Sequence, residues 1–282
     1  MRKTLILGLF TLLLATVPLR LWAGSKVTVG ANVPAAQQVS IDRINHAAWD
    51  ALLRKHCDQR GYVNYQAWHT SPADMQQLDQ YLAHLSQANP AQSASPASKF
   101  AFWINAYNAV TIRGILREYP TSSIKNHQSI AFGYKIWDDL LLPVGGQNYS
   151  LNAMEHQVLR KMGDPRIHFA IVCASISCPP LLNQAYTAEN LDAQLTYNAK
   201  RFFADPTKFA ATSQGELKLS KILSWFASDF GPNQAAQLRT IAPYLPTQAA
   251  QSLANSGRAR VSFLGYDWGL NDQATQSGSA RR

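Results

Sequence analysis

The segment His168-Phe169-Ala170-Ile171-Val172-Cys173-Ala174-Ser175-Ile176-Ser177-Cys178-Pro179-Pro180 gathers an imidazole, two thiols and two hydroxyls into one short span. Four fates are open to Cys173 and Cys178. They can join as a disulfide, which four intervening residues permit. One can serve as a thiolate nucleophile with a histidine as base. Both can join His156 or His168 around zinc, although the Cys-x4-Cys spacing is loose for such a site. Or they can pack as small hydrophobes. Ser175 and Ser177, with Tyr107 and Asn108, are expected to line the loop or its pocket.

Other residues bear on the same chemistry. Asn152-x-x-Glu155 has capping-box spacing, so Glu155 is expected to reach back to the amide at the helix start. His156, next to it, can act as a base or ligand, and Arg160 shares its helix face. Asn105 and Asn108 interrupt an apolar helix, where an unpartnered amide is costly. Each is expected to hold a neighbouring loop by its backbone, although Asn105 can also orient a catalytic imidazole. Cys57 is an odd third thiol. There is no Walker loop, dinucleotide glycine fingerprint or Gly-x-Ser-x-Gly elbow, and no cofactor or metal is expected.

The elements that must position these residues follow from hydrophobic periodicity. Ile44, Ala47, Ala48, Ala51 and Leu52 give a first helical face, and residues 74–85 a second helix. Ser95-Pro96 opens a long helix to Glu118, apolar almost all round and therefore central and buried. Residues 136–142 and 148–151 are expected as strands about the Pro143-Val144-Gly145-Gly146 turn. A helix from Asn152 ends near Gly163. Arg166 to Cys173 is a non-alternating apolar run, expected as a strand covered on both faces. Its carboxyl end would then present the Cys173–Cys178 loop to a crevice. Residues 187–203, 220–230, 234–244 and 248–255 are expected as helices, and 217–219 and 259–264 as strands. The fold class expected is α/β: a small mixed sheet, a buried central helix and helices on both faces.

The chain has 282 residues, 46% of them hydrophobic, which is enough to bury a sizeable core. Arg2 and Lys3 precede an uncharged apolar run, Leu5 to Val17, and Trp22-Ala23 offers a cleavage point. Residues 1–23 therefore predict an export signal, and the apolar run is shorter than a spanning helix needs. Residues 24–40 are expected as a linker, 41–271 as a single globular domain and 272–282 as a disordered tail. The predicted location is periplasmic or secreted, with no transmembrane segment after signal removal. The net charge of +9 falls to +6 without Arg2, Lys3 and Arg20. The remaining basic residues are scattered, with no aromatic-interleaved stripe, which argues against a nucleic-acid partner.

Four pieces together resemble the domain-of-unknown-function family 547 (DUF547). They are Phe102-Trp103-Ile104-Asn105-Ala106-Tyr107-Asn108-Ala109; Ser150 to His156 with Leu159-Arg160; Asp164 to Ala170 through Cys173 with Ser177-Cys178-Pro179; and Tyr266-Asp267-Trp268-Gly269-Leu270-Asn271. The resemblance runs over about residues 45–271. It implies no activity, but marks Asn105, Glu155, His156, His168, Cys173 and Cys178 as motif positions. Cys57 lies outside all four pieces.

The leading expectation is an exported thiol-dependent hydrolase or acyl transferase acting on an envelope substrate. Cys178 or Cys173 would attack an acyl or amide carbon, with His168 or His156 as base and Asn105 as orienting group. The alternative is a non-catalytic envelope binding or assembly module, stapled by a Cys173–Cys178 disulfide.

Overall fold

The computed structural model describes residues 26–127 and 135–275. The expected signal, residues 1–23, lies outside the described residues. In chain order the elements are β1 (Val27–Thr28), α1 (Ala47–His56), α2 (Tyr65–His69), α3 (Pro72–Leu85), α4 (Pro96–Glu118), α5 (Ile136–Asp139), β2 (Leu140–Val144) and β3 (Gln147–Ser150). After them come α6 (Leu191–Ala204), β4 (Phe209–Ala211), β5 (Glu216–Leu219), α7 (Ile222–Trp225), α8 (Ala227–Phe230), α9 (Gln234–Ile241), α10 (Gln248–Ser256) and β6 (Arg260–Phe263).

The expected mixture of helix and strand is present, with the strands divided between two three-stranded mixed sheets. In the first, β2 pairs with β1 in parallel (Val27 opposite Leu140) and with β3 antiparallel (Leu142 opposite Tyr149). In the second, β5 pairs with β4 antiparallel and with β6 in parallel (Glu216 opposite Arg260).

Helix α4 has the expected bounds. The Ser95 hydroxyl accepts from the Ser98 amide and Pro96 takes the first turn. An unbroken run from Phe100 to Ile112 is buried, which makes α4 the axis of the larger hydrophobic core. A second core gathers Phe169, Phe202, Phe203, Phe209, Leu217 and Phe230.

Several expectations are corrected. Residues 166–173 are not a strand: Pro165–Phe169 is a 3-10 helix, started by the Asp164 carboxylate accepting from the Arg166 amide. The backbone beyond it is satisfied by side chains rather than by a sheet. Asn108 Nδ2 donates to the Ala170 carbonyl (3.0 Å) and the Val172 amide donates to Asn108 Oδ1 (2.9 Å). The expected strand over 136–142 opens as α5 and becomes extended only at Leu140. The expected linker is tied to the fold over its described part, because Val27 and Thr28 pair with β2 and Val39 bridges to Ala88. The expected tail, 272–282, is tied to the fold over its described part, residues 272–275. Asp272 is buried, bridges to Val63 and accepts from the Tyr119 hydroxyl at 3.0 Å. In α1 the buried face is Trp49, Leu52, Leu53 and His56, offset from the expected one.

Among the described residues no helix is long and apolar enough to cross a membrane.

Candidate functional site

A cleft of about 540 Å³ opens between α4, the segment after β3, the disulfide loop, α7 and the chain after β6. Tyr107, Glu155, His156, His168, Cys173 and Cys178 all line it, so six of the ten candidate residues converge there. The remaining wall comes chiefly from Lys135, Trp137, Asp138, Asn152, Trp225, Phe226, Tyr266 and Trp268.

Glu155 is the largest departure from expectation. Residues Ala153–Leu159 form a π-helix, in which the Arg160 amide bonds back to the Glu155 carbonyl. Asn152 has helical backbone and makes no side-chain cap; its amide donates to Asp138 instead, at 2.6 Å. The expected capping box is therefore absent, and Glu155 turns inward. Its carboxyl is buried, with the Tyr107 hydroxyl donating to Oε2 at 3.3 Å. Burial pushes it up to about 7, against the pull of the Tyr107 hydroxyl and the Arg160 guanidinium. Glu155 thus holds its proton well into the pH range where an ordinary glutamate has lost it.

His168 provides the complement. Its Nε2 lies 2.8 Å from Asp229 Oδ2, and its ring stacks on Phe226 with centroids 4.1 Å apart. Burial lowers it to about 4, outweighing the Asp229 carboxylate, so at neutral pH the imidazole is uncharged. Asp229, on α8, is held at about 2, chiefly by Arg160, which grips it through Nε (2.6 Å) and Nη2 (2.7 Å). An anionic Asp229 can only accept, so Nε2 carries the imidazole proton and Nδ1 keeps a lone pair. Arg160 Nη1 also sits 3.0 Å from His156 Nδ1, and burial and that positive charge lower His156.

The sulfurs of Cys173 and Cys178 are bonded to each other, with Cα atoms 6.2 Å apart. This is the disulfide among the fates open to the pair, and in this oxidised form neither sulfur is a thiolate. Among the described residues no group of three or more His, Cys, Asp or Glu is placed to hold a metal ion. The loop turns at Ala174, whose φ of 55° is a left-handed conformation that alanine rarely adopts. The Tyr266 hydroxyl caps the pair, 3.3 Å from each sulfur and 3.2 Å from Ser175 Oγ. Burial raises Tyr266 to about 12, so that hydroxyl stays protonated. Cys57 is buried away from the cleft and its thiol is likewise pushed up to about 12.

The other four candidates act as scaffold. Asn105 bonds both backbone groups of Tyr186, accepting at 3.0 Å and donating at 2.8 Å, so it orients a loop rather than an imidazole. Asn108 holds residues 170–172, as described above. Ser175 is buried behind the disulfide, and Ser177 accepts from the Asp267 amide at 2.8 Å. Sequence reasoning missed Asp229 and Trp225. Asp229 lies 61 residues from His168 with no local motif, so nothing short of the fold joins them. Tyr266 and Trp268 did carry a signal, as part of the closing motif.

No curated protein matches the chain. No solved structure matches it either. A family model described as "Protein of unknown function, DUF547" matches residues 91–203. That span holds Glu155, His156, His168 and both bonded cysteines, whereas Asp229 and the aromatic wall lie beyond it and the matched span is shorter than the resemblance read from sequence. Over residues 91–203, then, the chain is similar to DUF547.

Proposed function

We propose that the cleft is the active site of a hydrolase or group-transfer enzyme working by acid–base rather than thiol chemistry. The observation that supports this reading is the convergence, in one cavity, of a protonated carboxyl at Glu155 and an uncharged imidazole at His168 paired to Asp229. Two groups whose environments drive them to opposite roles at one pH form an acid–base pair. His168 Nδ1 takes a proton from water or an acceptor hydroxyl as its oxygen attacks the electrophilic carbon. Glu155 gives its proton to the departing oxygen as the bond to carbon breaks. His168 and Glu155 then exchange protons with solvent to restore the starting state.

The test is turnover of a panel of neutral nitrophenyl esters and nitrophenyl glycosides by the purified protein in its oxidised form. Glu155→Gln and Asp229→Asn are each expected to lose about 10²-fold or more in kcat. The wild-type rate is expected to rise as pH passes about 4, where His168 loses its proton, and to fall above about 7, where Glu155 loses its own. Turnover that both variants retain overturns the proposal, as does absence of turnover across the panel. The bonded sulfurs also suit a non-catalytic binding module, and absence of turnover would leave that reading standing.

The same proposal places the protein in the periplasm or outside the cell. The basic and apolar residues of the amino end support it, and a disulfide persists in oxidising compartments. Cell fractionation with intact-mass measurement of the amino terminus tests it. Full-length protein in the cytosol would reject it.

A further inference from the structure

The cleft has two chemically distinct walls. On one, Trp225, Tyr266 and Trp268 form an aromatic cluster: Tyr266 lies 4.7 Å from Trp225 and 4.6 Å from Trp268, and the two indoles stack within 27° of parallel. Trp225 is 49% exposed, although it sits at the end of a short helix whose neighbours Ile222 and Leu223 are buried. Half an indole in water beside an open cleft is apolar area held back from the core. Elsewhere the lining offers hydrogen-bonding groups: Lys135, Asp138, Asn152 and the protonated Glu155.

Charge narrows what fits between them. Besides Glu155, the lining carries one cation, Lys135, and one anion, Asp138, and Arg160 is held by its bidentate bond to Asp229. His156 and His168 are both lowered, so neither adds a positive charge at neutral pH. With Glu155 protonated, the formal charges of the lining sum to zero, so it has no net charge to draw a strongly anionic or cationic ligand. An uncharged ring does fit: one apolar C–H face to lay on indole, and a rim of hydroxyls to bond the polar wall.

We propose that this cleft binds a neutral pyranoside oligosaccharide, with one sugar ring stacked on the Trp225–Trp268 platform and its hydroxyl edge turned towards Asn152 and Asp138. The inference deepens the acid–base reading by naming its substrate class, and it places a glycosidic oxygen as the atom that Glu155 protonates. Water attacks the anomeric carbon as the glycosidic C–O bond breaks, its proton passes to His168 Nδ1, and the leaving sugar departs with the Glu155 proton.

The test separates binding from turnover by using Glu155→Gln, which keeps the side-chain shape but cannot donate the proton. Tryptophan fluorescence of this variant is titrated with chitohexaose, cellohexaose and maltohexaose. At least one is expected to shift the emission saturably. Adding Trp225→Ala is expected to weaken that binding by roughly tenfold, the size of one lost stacking contact, whereas Trp225→Tyr restores most of it. Trp225 is half exposed, so its removal leaves the core intact, and an unchanged far-ultraviolet dichroism spectrum checks this. No saturable shift with any of the three sugars, or equal affinity in the Trp225→Ala variant, overturns the inference. Saturable binding without wild-type turnover rejects the catalytic proposal alone. Ester turnover without sugar binding rejects only the substrate class.

Discussion

At the scale of single residues, the site depends on burial deciding protonation. Glu155 and His168 are both desolvated, and desolvation favours the neutral form of each, so the acid keeps its proton and the base lacks one. This carries a stability cost that can be measured. Glu155 titrates near 7 when folded and near its ordinary value when unfolded. Between those values the unfolded chain releases a proton that the native protein keeps, so stability falls as pH rises through this window. Glu155→Gln removes the effect. The variant is expected to match wild type at pH 4 and to exceed it by up to about 3 kcal/mol above pH 7, because each tenfold change in proton affinity is worth about 1.4 kcal/mol. Urea denaturation at the two pH values checks it, and equal stabilities at high pH would show that the carboxyl is not held in its neutral form. His168 works in the opposite direction: its lowered value makes the fold lose stability as pH drops from its ordinary range towards about 4.

At the scale of elements, α4 was legible and the segment after it was not. Helix α4 declared itself through Ser95-Pro96 and an apolar surface with no polar stripe, and its bounds follow from those local signals. Residues 166–173 have strand composition, but composition does not reveal which groups will bond the backbone. Here the partners are amide side chains distant in sequence: Asn108 holds residues 170–172, and Asn198 donates to the Phe169 and Pro180 carbonyls. The Asp164-Pro165 pair was the local sign of a helical start that the apolar run outweighed. Glu155 departs from its cap spacing for a related reason, because that spacing presumes α-helical winding and a π-helix turns the side chain elsewhere.

Two measurements belong to this scale. Asn108→Ala leaves a buried carbonyl and a buried amide without partners and is expected to destabilise the protein by about 3 kcal/mol. An unchanged thermal midpoint would show that those backbone groups find other partners. Replacing Cys173 and Cys178 together by alanine is expected to cost about 2 kcal/mol, since the bond closes only a short loop. Thiol counting in denaturant should find one thiol before reduction and three after. Three before reduction would mean that the cysteines are free and would return the thiolate reading to contention.

Across the whole molecule, the last described residues connect the two cores. Strand β6 belongs to the second sheet. Beyond it, the Asp267 and Gly269 carbonyls accept from the Ser177 and Ile176 amides of the disulfide loop, and the Asn271 carbonyl accepts from the Val63 amide. The chain from 266 to 272 is thus at once a cleft wall and a strap across the larger core. Truncation after Leu264 is expected to lower the thermal midpoint and to make the disulfide reducible under native conditions. A truncated protein with wild-type stability and a protected disulfide would mean that the strap is incidental. The sequence hinted at this region through its closing motif. It held no sign that Asp229 would pair with His168 or that Trp225 would line the same cleft, because those approaches are set by how the second core packs on the first.

In the proposed chemistry Glu155 is a proton donor by virtue of its surroundings. The most direct measurement is a carbon-13 NMR titration of the glutamate side-chain carboxyl signals in the oxidised protein, with Glu155→Gln used to assign the resonance. A midpoint near 7 is expected for Glu155. A midpoint in the range of an exposed glutamate, about 4.3, would contradict it and leave the cleft without its acid.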